Sequence, residues 1–558
     1  MSSLFYTLLV PVLSYFLWNL IGIIKNIRKA RAIGIPVVWS PVSPENPIWI
    51  ICSKKVAPYI RRLPFGDWTD YSTIDWTWND RENDFKVLRK YGKVFAHVMP
   101  GKLVIRTADP AMVHRVLSDR RAFVKSLADV TDMLDIYGPS VVSRDGNEWQ
   151  RHRRITTRSF GESVHRIAWP EAVRQTEQMV ELWSQDERGF RSTARDFPTL
   201  TLNVLMRAAY GVQYDFHDSS EKVPPKGHNR TYRDCLREVM DMRNIVLLNI
   251  VPSFIFSFPW APRRLRSLQT SSRELEKYLI ESVVACRETL KSSPDKSMNF
   301  MESLVQENQA TTSKSGGLSD RELYGNLFVW TLGGHETTAN TLLFALFLLA
   351  AFPMVQEWLF EELDGIELDY ESFPRMKRSL AVMLETLRMF PTISPGSKAT
   401  GDCPVPMQTM EGDTLIIPPH TSITPNLPAL QVLPEVWGPD SLTWRPTRWL
   451  DTDDGQLRTP VEGSFEPWGD GSRVCPGKKF AQVEFVAVIS CIFSRYKIEA
   501  VPEGEESAED ARERVWKAVN KTESGLTLKV ENSERVAFKI LERRAASGEA
   551  NPMAGDHV

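Results

Sequence analysis

The chain has 558 residues, 42% hydrophobic and 25% charged, a size and balance that allow a large buried core. A formal net charge of -2 argues against a general nucleic-acid binder. Six cysteines with no Cys-x-x-Cys pair exclude a disulfide framework and a cysteine-based zinc site, and fit a reducing compartment.

The N-terminus differs in kind from the rest. Leu4 to Ile24 carries no charge and is dominated by Leu, Ile, Val, Phe, Tyr and Trp. As a helix rising about 1.5 Å per residue it would span roughly 30 Å, the hydrocarbon thickness of a bilayer. Lys25, Arg28, Lys29 and Arg31 follow at once, which places the remainder on the cytoplasmic side. No basic segment precedes the apolar run, so a cleaved signal peptide fits less well. Pro36, Pro41, Pro44 and Pro47 then make a stiff neck. The chain thus divides into a transmembrane anchor (1–25), a basic, Pro-rich neck (26–48), a body (49–547) and a disordered tail (548–558). With the body in the cytosol, the sequons at Asn229 and Asn520 stay unglycosylated.

Along the body, Tyr91 to Ile105 alternates around Pro100-Gly101 and predicts a β-hairpin. Helical periodicity follows over 169–186, 196–211, 232–247 and 267–292. Leu323 to Pro353 is the longest apolar stretch, and its centre reads Gly333-Gly334-His335-Glu336-Thr337-Thr338. A membrane span would not carry His335 and Glu336 at its middle cheaply, so a buried core helix is expected. Adjacent glycines weaken a helix by about 1 kcal/mol each, which suggests close approach to a flat ligand. A threonine there is also able to bond the carbonyl four residues back. Arg375 to Phe390 reads as a helix carrying Glu385-x-x-Arg388, and a Pro/Gly-rich, strand-like region runs on to Thr424. Leu433 to Gly471 has no clear period and is rich in Pro, Trp and Gly.

Cys475 is the most informative residue. It sits in Trp-Gly-Asp-Gly-Ser-Arg-Val-Cys-Pro-Gly (468–477), two residues after Arg473 and just before a helical period that starts near Phe480. A thiol at a helix N-terminus beside cations is expected to have a lowered pKa. Gly471 and Gly477 would let amides approach the sulfur, and such a thiolate suits the axial position of a heme iron. No base or single-cysteine protease signature surrounds it.

This loop resembles the heme-binding loop of the cytochrome P-450 superfamily, Phe-x-x-Gly-x-Arg-x-Cys-x-Gly. It matches at Gly471, Arg473, Cys475 and Gly477 and departs at Trp468, another flat aromatic. Gly333 to Thr337 is similar to the family's distal helix, Trp149 to Arg153 to its Trp-x-x-x-Arg helix, and Glu385-x-x-Arg388 with Pro446-x-Arg448 to its structural triad. The resemblance implies a mainly α fold with small β-sheets behind a single N-terminal transmembrane helix. It implies heme b (iron protoporphyrin IX) with Cys475 as axial thiolate. Thr337 would hold dioxygen and an ordered water, and Glu336 would relay protons. Trp149 and Arg153 would bind the propionates, helped by His152 and Arg473, with Lys398 where the family often has arginine. Glu385, Arg388 and Arg448 would form a buried network serving folding and heme retention. His335, at the motif's variable position, reads as a helix-packing residue.

By the same resemblance the activity is monooxygenation of a lipophilic small molecule. Electrons would come from an NADPH-cytochrome reductase, with cytochrome b5 as a further candidate, at the endoplasmic reticulum membrane. Arg151, Arg154, Arg158, Lys478 and Lys479 suit an acidic electron donor, or are simply a solvated face. Pocket walls would come from Val130 to Ser143, Met240 to Trp260, Phe328 and Trp330, Thr392 to Ser397, and Ser524 to Leu528. The apolar run Asn244 to Trp260 is also suited to dip into the bilayer. The wording after Cys475 looks most like fungal members that tailor secondary metabolites. A heme-thiolate isomerase or dehydratase, or a non-catalytic heme protein, are the alternatives; an intact Glu336-Thr337 pair argues against the first.

Overall fold

The computed structural model describes residues 2–40, 43, 46–60, 62, 85–126, 130–217, 223–256, 258, 260–292, 299–394, 396–450 and 455–543. The expected tail 548–558 and Pro41 and Pro44 of the neck lie outside them. The N-terminal apolar run forms one helix, Ser2–Arg31, that continues through the basic residues. Its last turns pack on a β-sheet through Ile23, Ile27 and Ala30, and Ile33 in the turn that follows joins them. Leu13, Leu17, Trp18, Leu20 and Ile21 face outward. Among the described residues no single helix is long and apolar enough to cross a membrane. The helices Asp320–Ala351 and Pro353–Leu363, bent at 108°, pass by length and composition together, but the first is buried from Thr338 through Ala350.

The predicted hairpin is present. Val94–Met99 and Lys102–Thr107 pair antiparallel with Met99 opposite Lys102, and Gly101 takes the left-handed turn conformation (φ 72°) that a residue without Cβ adopts freely. It anchors a six-stranded sheet in the order Val37–Trp39, Val94–Met99, Lys102–Thr107, Ser422–Pro425, Lys398–Thr400, Phe123–Lys125. Ser422–Pro425 joins this sheet between Lys102–Thr107, to which it is parallel, and Lys398–Thr400, to which it is antiparallel.

The helices follow the sequence periods with one split. Glu162–Ser184, Thr193–Tyr210, Arg263–Ser292 and Lys377–Met389 form single helices. The period over 232–247 divides into Tyr232–Val239 and Met242–Ile250, because the Asp241 side chain accepts from the Arg243 amide and starts a new helix. The longest helix, Asp320–Ala351, begins with a capping box in which Ser319 and Glu322 satisfy each other's amides. It crosses the body against Thr193–Tyr210, while Lys478–Phe493 packs on Glu162–Ser184. Gly325 brings the loop before Gly146–Thr157 onto this helix. A Cβ there would lie 2.2 Å from the Gly138 carbonyl oxygen, an approach that no side chain permits. Asn326 fastens the same loop by accepting from the Val141 amide at 2.9 Å.

Glu385, Arg388 and Arg448 form the expected buried network; Glu385 and Arg388 are fully inaccessible. Arg388 donates twice to Glu385, at 2.8 Å each, and Arg448 Nε donates at 3.0 Å. Trp449 Nε1 and the Arg445 amide complete the shell around the carboxylate. The spare arginine donors reach carbonyls of Gln431, Trp437, Asp440, Ser441 and Thr443, so the aperiodic stretch after Leu433 is fixed by this hub rather than by regular structure. Burial would raise the Glu385 pKa, yet Arg388 and Arg448 hold it below the usual carboxylate range.

Candidate active site

A cavity of about 390 Å³ lies between the long helix and the cysteine loop. One wall carries Trp468, Cys475, Phe480 and Ala481, and the other carries Gly333, Gly334, Thr337 and Thr338. Val141, Leu205, Ala209, Val329 and Ile393 make much of the remainder apolar.

The cysteine loop is shaped by two close backbone contacts. The Cys475 amide donates to the Trp468 carbonyl at 2.9 Å, closing the loop and directing the thiol to the cavity. Gly471 has φ 64°, and a Cβ there would sit 2.7 Å from the Leu117 carbonyl oxygen. Its small size therefore serves packing on the helix Pro110–Ser118 rather than approach to the sulfur. Gly477 does meet the sequence expectation: its amide bonds the sulfur. The helix itself starts at Lys478 with Gly477 as its N-cap, so Pro476 precedes the first turn. The expected lowering of the thiol pKa is reversed. Burial pushes the Cys475 thiol up, and the Gly477 amide, Arg153 and Lys478 pull against it without prevailing.

On the opposite wall, a Cβ at Gly333 would meet no atom within 4 Å, so that face opens directly on the cavity. At Gly334 it would press on Leu205 at 3.2 Å, which makes this second glycine a helix-packing residue. The Thr337 hydroxyl donates to the Gly333 carbonyl at 2.8 Å, the bond expected from the sequence. Glu336 does not line the cavity; its carboxylate pairs with Lys529 at 2.5 Å. His335 is buried and bonds the Thr331 carbonyl at 2.6 Å, the packing alternative of the sequence reading.

Cations gather along one edge of the cavity. Trp149, Arg153, Lys398 and Arg473 all line it. Arg153 donates to the Val474 carbonyl at 2.8 Å, beside the cysteine. Arg473 lies over the Trp149 ring at 4.7 Å and donates to Asp145 at 2.7 Å. His152 is not among the lining residues, which departs from the expectation that it helps bind a cofactor carboxylate. Its Nε2 faces Glu322 at 3.1 Å and its Nδ1 faces Asn326 at 3.0 Å, so it fastens the Trp149 helix to the long helix instead.

Three participants were not singled out from the sequence. Lys125 lines the cavity and reaches the Ser143 carbonyl at 2.7 Å, but a lone lysine in a strand carries no pattern. Gln431 links the buried hub to the cysteine loop. Its amide donates to the carbonyls of Leu387 and Arg388, and its oxygen accepts from the Glu466 amide at 3.1 Å. Glu484, inside the Lys478–Phe493 helix, is fully buried; neither carboxyl oxygen makes a hydrogen bond of ordinary geometry among the described residues, and the Thr338 hydroxyl reaches it only weakly. Burial pushes its pKa well above the carboxylate range, against a pull from Thr338.

The family model for cytochrome P450 matches residues 65–528. The chain is 27% identical to a cytochrome P450 monooxygenase of Arthrobotrys oligospora, over 94% of this chain and 96% of that protein. It is 28% identical to the phomenoic acid biosynthesis cluster cytochrome P450 monooxygenase of Leptosphaeria maculans, over 93% and 96%. A further relative, a cytochrome P450 monooxygenase of Penicillium roqueforti, is 26% identical over 87% and 90%. The fold and these matches define a heme-thiolate oxidoreductase. The chain belongs to the cytochrome P450 family, as a monooxygenase.

The groups lining this cavity fit the heme that this family implies. A thiol faces one wall, a glycine without steric hindrance faces the other, and two arginines with two lysines sit at the rim. A flat, apolar, doubly anionic molecule needs this combination.

Proposed function

We propose that this protein inserts one oxygen atom from dioxygen into a lipophilic small molecule, with heme b held by Cys475. The observation that carries the reading is one cavity lined by Cys475 on one wall and by Gly333 and Thr337 on the other. When bound, heme supplies the redox chemistry that activates dioxygen. Cys475 binds the iron as thiolate, so its thiol proton leaves on binding. The Gly477 amide then softens the sulfur's charge. Trp149, Arg153 and Arg473 hold the propionates, with Lys125 and Lys398 at the same rim and His152 positioning the helix behind them.

The apolar walls keep bulk water out and orient an apolar substrate. Thr337 already spends its proton on the Gly333 carbonyl, so its oxygen is left to accept from an ordered water. Glu336, next to it, relays protons to that water from the solvent side. Electrons come from a separate NADPH-cytochrome reductase docking near the basic residues Arg151, Arg154, Lys478 and Lys479, with cytochrome b5 as a further donor. The outward apolar face of Ser2–Arg31 supports a single N-terminal membrane anchor in the endoplasmic reticulum, with the body on the cytoplasmic side. Exposed Phe254 and Trp260 support a second contact with the bilayer, the side from which a lipophilic substrate would enter. The relative in a phomenoic acid cluster supports a secondary metabolite as substrate class.

Thr337→Ala tests the proton-delivery assignment. The variant should keep consuming NADPH while product falls and hydrogen peroxide rises. An unchanged product yield would refute the assignment.

A further inference from the structure

Near the C-terminus, Thr522–Ser524 and Leu528–Val530 form a short antiparallel hairpin with Ser524 opposite Leu528. The hairpin touches two sides of the cavity. Its Leu528 amide donates to the Thr392 carbonyl at 2.9 Å, and Thr392 opens the segment that lines the cavity with Ile393, Ser394 and Lys398. On the other side, Asn340 donates to the Thr527 hydroxyl at 3.0 Å in a buried contact, and Lys529 pairs with Glu336 at 2.5 Å. Glu336 and Asn340 are one helical turn apart, so they share a face and bracket Thr337 in sequence. One hairpin therefore grips the long helix at two points and the cavity wall at a third.

The two grips differ. The Asn340 bond is buried and fixed. The Glu336–Lys529 pair is open on the lysine side, with side chains 13% and 41% exposed, so breaking it carries only the small cost of a solvent-screened pair. Glu336 lies outside the cavity that Thr337 lines, and it needs to turn from Lys529 to pass a proton inward.

We propose that Lys529 is a positioning residue for proton delivery: it holds Glu336 turned away from the cavity. The hairpin couples that hold to the wall at Thr392, so that a shift of the wall loosens the pair. This rests on the reading of Glu336 as the relay acid.

Substrate-free turnover of the heme-loaded protein with a fungal NADPH reductase reads proton delivery without a known substrate. Two electrons and two protons turn dioxygen into hydrogen peroxide, at one NADPH per dioxygen. Four electrons and four protons turn it into two waters, at two NADPH per dioxygen. Lys529→Met should lower the peroxide fraction roughly twofold, the factor an exposed ion pair is worth. Glu336→Gln should raise it, the double variant should follow Glu336→Gln, and Lys529→Arg should match the parent. Hydrogen exchange on the purified protein supplies a readout independent of turnover. In Lys529→Met the amides of 522–530 and 392–394 should exchange faster, while those of 385–388 keep their rates. If Lys529→Met leaves exchange and peroxide at parental values while Glu336→Gln raises peroxide, the hairpin inference falls and the relay reading stands. If Glu336→Gln leaves peroxide unchanged, the relay reading falls and takes the inference with it.

Discussion

Replacing Glu385 by glutamine removes one charge from the most densely bonded site in the molecule. The carboxylate accepts from five donors: Arg388 Nε and Nη2, Arg448 Nε, Trp449 Nε1 and the Arg445 amide. Glutamine offers one acceptor oxygen and turns the other position into a donor that faces donors. Arg388, fully buried, then has no counter-ion among the described residues, while Arg448 keeps Asp440 at 3.1 Å. Breaking a buried pair by removing one partner costs about 3–5 kcal/mol. Donors left without acceptors add about 1–3 kcal/mol more. Against a typical total stability of about 5–15 kcal/mol, the variant should be severely compromised. The assay is thermal unfolding of the purified chain, with heme content measured on the same sample. Glu385→Gln should lower Tm by about 8 °C or more, taking about 2 °C per kcal/mol for a large domain. It should also lose heme, because the hub reaches the cysteine loop through Gln431 and Glu466. The sign of its pH dependence follows from the lowered pKa. The stabilisation in the parent is present above the ordinary carboxylate pKa and is lost only as pH falls through the depressed value. A Tm within about 2 °C of the parent at neutral pH, less than the loss of a single buried bond, would refute this reasoning.

Glu484 predicts the opposite outcome for another buried acid. Since, among the described residues, only Thr338 reaches its carboxyl, and not in ordinary hydrogen-bond geometry, Glu484→Met should raise Tm at neutral pH by relieving about 1–3 kcal/mol of unmet polar burial; a lower Tm would show that the Thr338 contact is a structural bond. Glu466 gives a pH signature. Burial and Asp470 push its pKa up to about 7, so the parent should lose stability as pH rises from the ordinary carboxylate range through that value. Glu466→Gln should be flat across this window and the more stable of the two above it, as differential Tm measurements against pH would record.

Much of the fold was legible because its signals are local. The Tyr91–Ile105 alternation, the long apolar stretch around Gly333 and the Glu385-x-x-Arg388 spacing each specify structure within one element. The break at Asp241 was missed because an apolar period runs across it, and a single capping side chain overrides that period. Site assignments fared unevenly for a similar reason. Cys475, Thr337, Trp149, Arg153, Arg473 and Lys398 converge on one cavity, while His152 and Glu336 turn to partners that spacing does not reveal. The thiol pKa went the other way because the sequence displays the neighbouring cations but not the protein packed around the sulfur, which leaves it open only to the cavity. Gly471 was assigned to amide approach to the sulfur, yet it accommodates Leu117, and Gly334 lines the cavity as expected while also packing on Leu205. Such tertiary contacts join residues far apart in the chain; in the hairpin around Lys529, the lysine and Glu336 are nearly two hundred positions apart.

The central claim, that Cys475 is the thiolate ligand of a heme in this cavity, is tested most directly by the carbon monoxide difference spectrum of the dithionite-reduced protein. The parent should show the strongly red-shifted Soret band of thiolate ligation, and Cys475→His should shift it to the position typical of an imidazole ligand while heme remains bound. A parent spectrum without the red-shifted band, or a Cys475→His variant that keeps it, would contradict the account.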